Sequence, residues 1–256
     1  MNMQKLSFFD CNAYFGPRKL CMPGSFSTKE ELFANMDLYG IDRALVTHAF
    51  ARELDPVEGN ARLMDEIKND ETLSPMWVAL PHHTGEFAKP DMLIRMMKKQ
   101  NVRAVTLLAS PAYYFFSLQE WNCGELYSAL EDARIPLFLG YPQLDPNLDG
   151  LYTILKNHPK LPLVLTNANY RIARNLYPLL SRFDNLYVET FGFKAQDGIE
   201  DICQKFGAER LIFGSGMPDS SGGGAVAMIT YADISFEEKQ MIASGNLEKL
   251  LGGVKF

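Results

Sequence analysis

Residues 133–166, ARIPLFLGYPQLDPNLDGLYTILKNHPKLPLVLT, hold the pattern that decides the fold. Two short apolar runs, 135–139 and 161–166, flank an amphipathic stretch over 147–157. Each run is nearly continuous in Ile, Leu, Val and Phe, as expected of strands buried on both faces, and the stretch between them has helical length. A strand, a covering helix and a second strand is the unit from which parallel sheets are built.

The same alternation extends in both directions. Further strand-like runs lie at 6–13, 43–47, 75–80, 102–109, 186–190 and 210–214, with helical stretches at 28–39, 56–69, 89–100, 123–133, 172–182, 197–206 and 236–251. Ser27 with Glu30, and Ser235 with Glu238, read as capping boxes, in which the hydroxyl accepts an orphan N–H and the carboxylate reaches back. Gly40 stands where the first helix should stop in a left-handed residue. Eight strand–helix units in 256 residues predict an α/β chain folded as a single (β/α)8 TIM barrel over residues 1–256. An open doubly wound sheet is the rival, since patterning does not show closure, but no glycine-rich fingerprint follows the first strand. The loosest segment, SSGGG at 220–224, reads as a mobile cover over the site.

Composition narrows the partners. With 25 Lys and Arg against 31 Asp and Glu, the net charge of −6 argues against nucleic acid. No run approaches the roughly 18 apolar residues that cross a bilayer, and residues 1–9 lack the long apolar core of a signal peptide, so no membrane partner is expected. The four cysteines, Cys11, Cys21, Cys123 and Cys203, are scattered without a CxxC pair, which suits a reduced, cytoplasmic setting. Strand alternation turns Cys11 toward the helices, as a buried inert thiol.

Several segments together point to a family. FDCNAYFG at 9–16, STKEELFANMDLYGIDRALV at 27–46, HPKLPLVLTNANY at 158–170, GAERLIFGSGMP at 207–218 and EEKQMIASGNLEKLLG at 237–252 resemble the amidohydrolase superfamily. The nearest branch is the amidohydrolase-related group that includes decarboxylases and dicarboxylate lactonases. The resemblance implies a (β/α)8 barrel with its site at the carboxyl ends of the strands. It also implies a metal cage, built from D-x-H-x-H on the first strand, histidines ending the fifth and sixth, and an aspartate in a GSD-x-P motif. Here those positions hold Asp10, Asn12 and Tyr14, then Gly140, Asn167 and Gly216. Catalytic zinc needs about three protein ligands. The expectation is therefore no metal and no cofactor.

The remaining polar residues supply the candidate site. His48 ends the second strand and His82 follows the third, and an imidazole titrates near neutrality, so either can serve as general acid or base. Each can equally be a loop histidine bonded to backbone, and no spacing ties Asp10, His48 and His82 into an alternative metal site. Glu189 ends the seventh predicted strand with little positive charge near it in sequence, as a third candidate base or a structural carboxylate. Asp10, Asn12, Tyr14, Tyr141, Asn167 and Asn169 are candidate substrate-binding groups at or beside the former cage, with Arg171 and Asp219 just beyond. His158, at a helix end facing away from the site, reads as a surface or capping residue. The aromatic run 113–116 fits either a pocket wall or a homo-oligomer interface.

The sequence thus predicts a divergent amidohydrolase-like protein acting without metal on a small polar or carboxylated molecule, with lactone or ester hydrolysis as its chemistry. The alternative is a catalytically inactive barrel that binds a small molecule or a partner.

Overall fold

The structure, a computed structural model, describes residues 5–256; the first four residues of the opening 1–9 segment lie outside it. The chain alternates strand and helix as the pattern predicts. β1 (Phe9–Phe15) leads to α1 (Lys29–Tyr39), and β2 (Arg43–His48) runs directly into α2 (Ala49–Glu53) and then α3 (Pro56–Ile67). β3 (Leu73–Pro75) and β4 (Trp77–Ala79) precede α4 (Pro90–Gln100), and β5 (Val105–Leu107) precedes α5 (Glu120–Asp132). β6 (Leu137–Gly140), α6 (Asp149–Asn157), β7 (Leu163–Thr166), α7 (Ala173–Arg182), β8 (Leu186–Glu189), α8 (Gly198–Phe206) and β9 (Leu211–Ile212) continue the pattern. The chain ends in α9 (Gly222–Thr230), α10 (Phe236–Gln240), a π-helical turn over Met241–Gly245, and α11 (Asn246–Gly252).

All strand pairs are parallel, in the orders β1-β2-β3 and β4-β5-β6-β7-β8-β9. Met76 joins the two groups. Its N–H donates to Val46 O at 2.8 Å on one side, while the next N–H, of Trp77, donates to Ala104 O at 3.1 Å on the other. β3 and β4 are thus one strand that changes partner half-way. The opposite seam is closed by Cys11 N to Phe213 O (3.0 Å), Gly216 N to Asn12 O (3.1 Å) and Tyr14 N to Met217 O (3.1 Å). The sheet is a closed barrel, which rules out the open doubly wound alternative.

The lumen confirms closure. One buried apolar cluster takes Phe9 and Cys11, Leu45, Met76, Ala104, Phe138, Val164 and Ile212, with the partly buried Tyr187 packed against it, so every strand position contributes, and Leu247, Leu250 and Leu251 of α11 plug its floor. Strand residues of the other parity, such as Val105, Leu107, Leu137 and Leu139, pack outward with Leu93, Met97 and Leu130 of the helices. Among the described residues no helix is long and apolar enough to cross a membrane.

Four expectations are corrected. Cys11 faces the lumen together with Phe9, two residues before it, and the β1–β2 register shift between Asp10 and Ala13 lets the adjacent Asn12 reach the cavity as well, so an inward Asn12 does not turn Cys11 toward the helices. The first capping box is Thr28 with Glu31, one residue later than Ser27 with Glu30, although the Ser27 N–H also reaches Glu31. SSGGG is not a mobile cover: Gly222, Gly223 and Gly224 form the first turn of α9, and a Cβ at Gly222 would lie 2.9 Å from the Tyr39 ring, so the missing side chains let α9 sit close on α1. His158 does cap the end of α6, as read, but it is not a surface residue: it is 6% exposed, held between Glu131 (3.0 Å) and Glu120 (3.2 Å). The Ser235–Glu238 box and the left-handed Gly40 stop stand as read.

Candidate active site

The carboxyl ends of the strands enclose a cavity of about 140 Å³ within the barrel mouth. Polar groups reach it from Asn12 on β1, Thr106 on β5, Thr166 and Asn167 at the end of β7, and Arg52 on α2, against an apolar wall that includes Phe138 and Tyr113. A larger opening of about 650 Å³ lies outside the lumen, between residues 16–18 and the start of α1.

Behind the cavity lies Glu189, fully buried. Asn12 Nδ2 donates to its Oε1 at 3.2 Å and the Asn167 N–H to its Oε2 at 2.7 Å. Asn167 adopts φ 54°, a left-handed conformation that asparagine tolerates better than most residues, and this turn aims its N–H at the carboxylate. Burial raises the Glu189 carboxyl from 4.5 to about 7; the hydrogen bonds from Asn167, Asn12 and Phe191 oppose the rise, and the neighbouring Asp10 adds to it. At neutral pH such a group both holds and releases a proton.

Asp10 serves the seam. Its Oδ1 accepts the Ser215 N–H and the Asn12 N–H, each at 2.9 Å, and the Ser215 hydroxyl donates to its Oδ2, which ties β1 to the segment after β9. Burial raises its pKa against those hydrogen bonds. The Cys11 thiol is pushed well up by burial and by the charges of Glu189 and Asp10, which makes it a poor nucleophile.

Tyr14 forms the link from the mouth to the outside. Its hydroxyl donates to Asp219 Oδ2 at 2.7 Å and accepts from Arg18 Nη1 at 3.1 Å. Arg52 stacks on its ring, 4.4 Å from the centroid. Burial drives the phenol further up, so it stays protonated. Asp219 pairs with Arg18 at 2.7 Å while remaining largely exposed.

The two candidate histidines, Tyr141, Asn169 and Arg171 lie off the cavity wall. His48 is buried and caps α2, its Nδ1 accepting the Phe50 N–H at 3.1 Å; its Nε2 faces Glu66 at 3.4 Å. Burial lowers its pKa more than Glu66 raises it. His82 faces Glu125 at 3.6 Å, with the His83 ring 4.3 Å away. Tyr141 packs on the outer apolar layer, Asn169 caps the turn into Arg171, and Arg171 is exposed. The aromatic run divides by residue: Tyr113 lines the cavity, the Tyr114 hydroxyl donates to Ala51 O at 2.6 Å, Phe115 is exposed, and Phe116 joins the core.

The structure therefore gathers Asn12, Asn167 and Glu189, with Asp10 and Tyr14 as neighbours on β1, and leaves His48 and His82 elsewhere. It adds Arg52, which sequence reading missed because α2 is a short helix joined to β2 without a break.

The positions that would cage a metal do not suit one. The Asn12 amide turns its NH2 to Glu189, the Tyr14 oxygen is engaged by Asp219 and Arg18, and Gly140 and Gly216 offer no side chain. Gly216 has φ 70°, and a Cβ there would lie 2.8 Å from the Phe191 ring, so even the space for a carboxylate is filled. Among the described residues no group of three or more His, Cys, Asp or Glu is placed to hold a metal ion.

Comparison with known proteins agrees with the fold. A family model described as amidohydrolase matches residues 22–253. No curated protein sequence matches the chain. Among solved structures, an uncharacterized TIM-barrel protein of Bordetella bronchiseptica superposes with a TM-score of 0.75 at 18% identity, covering 97% of this chain and 99% of that one. A dihydroxybenzoic acid decarboxylase of Polaromonas, solved with bound manganese, gives 0.72 at 14% identity and 97% of each chain. The 2,6-dihydroxybenzoate decarboxylase of Rhizobium gives 0.70 at 15% identity, covering 97% of this chain and 99% of that one.

Proposed function

Because the chain belongs to the amidohydrolase family, we propose that it is a metal-independent member that takes a small polar or carboxylated molecule into the barrel mouth and hydrolyses a lactone- or ester-type bond there. The observation that carries this reading is Glu189: a buried carboxyl titrating at about 7, bonded to the two asparagines that line the cavity. A general base works best when its pKa lies near the working pH.

In the proposed reaction the Asn12 side chain swings aside, breaking one 3.2 Å hydrogen bond, and admits a water to Glu189 Oε1. Glu189 takes a proton as the water oxygen bonds to the carbonyl carbon. The bond from that carbon to the leaving oxygen breaks, and Glu189 returns the proton to the departing alkoxide. Asn167 and Thr166 orient the substrate. Without a Lewis acid the carbonyl has to be activated already, and lactones and esters meet that condition while amides do not.

One observation favours the second reading, an inactive barrel that binds a small molecule or a partner: Glu189 has no exposed surface and neither His48 nor His82 lines the cavity. The two readings separate on a panel of small carboxylated lactones and esters assayed in chelator. The hydrolase reading expects turnover that Glu189→Gln lowers by about 100-fold or more while folding stays cooperative. Turnover abolished by the chelator itself defeats metal independence. Absence of turnover across the panel, with melting still raised by a ligand, leaves the binding reading.

A further inference from the structure

A second cavity, of about 260 Å³, lies on the outside of the barrel, between α3, α4 and the β4 residue Trp77. It shares no lining residue with the mouth. Val57 and Ala61 of α3, Leu93 and Met96 of α4, and Phe87 just before α4 make the lining largely apolar. Val57 and Met96 keep apolar surface exposed to solvent there.

Trp77 is 3% exposed, and its buried indole N–H meets no acceptor among the described residues. A buried indole N–H usually finds a partner, so an orphaned one calls for an explanation. The other buried polar side chain of the lining cannot supply it. Asn60 Oδ1 accepts the Val78 N–H at 3.1 Å, and its Nδ2 donates to Val78 O at 2.9 Å. Glu86 and Gln100, the remaining polar members, are exposed. A water bonded to the indole would find few further polar partners in such a lining, and trapped waters need several.

The lining indicates what would meet that N–H. An apolar cavity of about 150 Å³ is enough to hold benzene. The larger volume here accepts a ring with a short substituent. Phe87 and Trp77 offer aromatic surface, and Met96 a thioether that packs well on a ring. An indole only donates, so the substituent has to carry an acceptor oxygen. The single charged lining residue is an acid, Glu86, which disfavours an anion.

We propose that this cavity is a second ligand site, which takes a neutral ring compound with one carbonyl oxygen. The ring lies among Phe87, Leu93 and Met96, and the oxygen accepts the Trp77 indole N–H. The site is separate from the barrel mouth and independent of the reaction proposed there.

The chain has two tryptophans, and Trp121 is exposed. Trp121→Phe therefore leaves Trp77 as the sole indole signal in a nitrogen-edited proton NMR spectrum. In that protein acetophenone moves the signal downfield, with a half-point of about 1 mM. Ethylbenzene, which lacks the oxygen, gives no such downfield move, and phenylacetate, which is charged, leaves the signal in place. Adding Ala61→Phe, on α3, or Ala88→Leu, before α4, narrows the cavity and abolishes the response. Adding Glu189→Gln leaves the response intact, so a failed hydrolase reading does not touch this one. The proposal is overturned if acetophenone at about 10 mM leaves the Trp77 signal unmoved. It is equally overturned if ethylbenzene or phenylacetate moves the signal downfield as far, or if the narrowed proteins still respond. Should one narrowed protein not fold, the other decides.

Discussion

Asn12 and Glu189, 177 residues apart in sequence, meet inside the barrel, the Asn12 amide donating to Glu189 Oε1 at 3.2 Å. The contact spans β9, which lies between their two strands, and places a proton-sharing carboxyl directly behind an amide of the cavity wall.

Stability should therefore respond to that carboxyl. In the unfolded chain Glu189 releases its proton near 4.5, whereas the folded chain holds it to about 7. Folding takes up a proton between those values, so stability falls as the pH rises through them and the loss is complete above about 7. The size is about 3 kcal/mol. Asp10, also raised by burial, adds a slope of the same sign in wild type and variant alike. Urea unfolding of wild type and Glu189→Gln from pH 4 to 8 should show the wild type losing about 3 kcal/mol relative to the variant. Parallel curves would refute a raised Glu189.

Asp10 predicts a structural effect. Asp10→Ala strands the Ser215 and Asn12 N–H groups, both of which lie at the barrel seam. Buried donors left unpaired cost about 1–3 kcal/mol each, so a loss of about 3 kcal/mol is expected, with Asp10→Asn recovering part of it. Chemical denaturation of the two variants measures this, and a loss under about 1 kcal/mol for the alanine removes the seam role.

Gly59 on α3 sits against α2, and a Cβ there would lie 2.6 Å from Ala51 Cβ, with the Ala51 backbone nearer still. The obstacle is backbone, which cannot swing away. Gly59→Ala should cost about 3 kcal/mol, at the upper end of overpacking, and should loosen α2 with Arg52 on it. Urea unfolding of the variant measures the loss. A variant as stable as wild type would show that α2 has room to shift.

His48 predicts the opposite pH sign from Glu189. Burial lowers its pKa below 6.5, so the unfolded chain gains a proton that the folded chain refuses. Its contribution is full above 6.5 and declines as the pH falls below that value. His48→Ala should lose about 1 kcal/mol through the α2 cap and flatten this acid-side decline. Thermal melts at pH 5 and 7.5 report both effects, and an unchanged decline in the variant assigns it to other groups.

The strands were legible because parallel strands buried on both faces must be apolar throughout, and the runs at 135–139 and 161–166 could hardly be anything else. Glu189 was legible from its place at a strand end, and Asn12 and Asn167 from the resemblance, which puts them where the family carries metal-binding histidines. What escaped was set by local geometry. The β1 irregularity that lets neighbouring Cys11 and Asn12 both face inward leaves no mark on the hydrophobic pattern. The glycines of α9 look like a loop until Tyr39 is seen packed against them. Arg52 depended on a five-residue helix whose start is capped by His48, a residue that invites a chemical reading first.

The seam between β1 and residues 213–217 has a consequence during synthesis. A ribosome delivers the first strand long before its final neighbour, so for most of translation the nascent polypeptide carries an open sheet edge of the kind that invites mispairing. Ligand cannot rescue it at that stage, since the walls that would receive the ligand are not yet joined. Metabolite supply can reward only finished molecules.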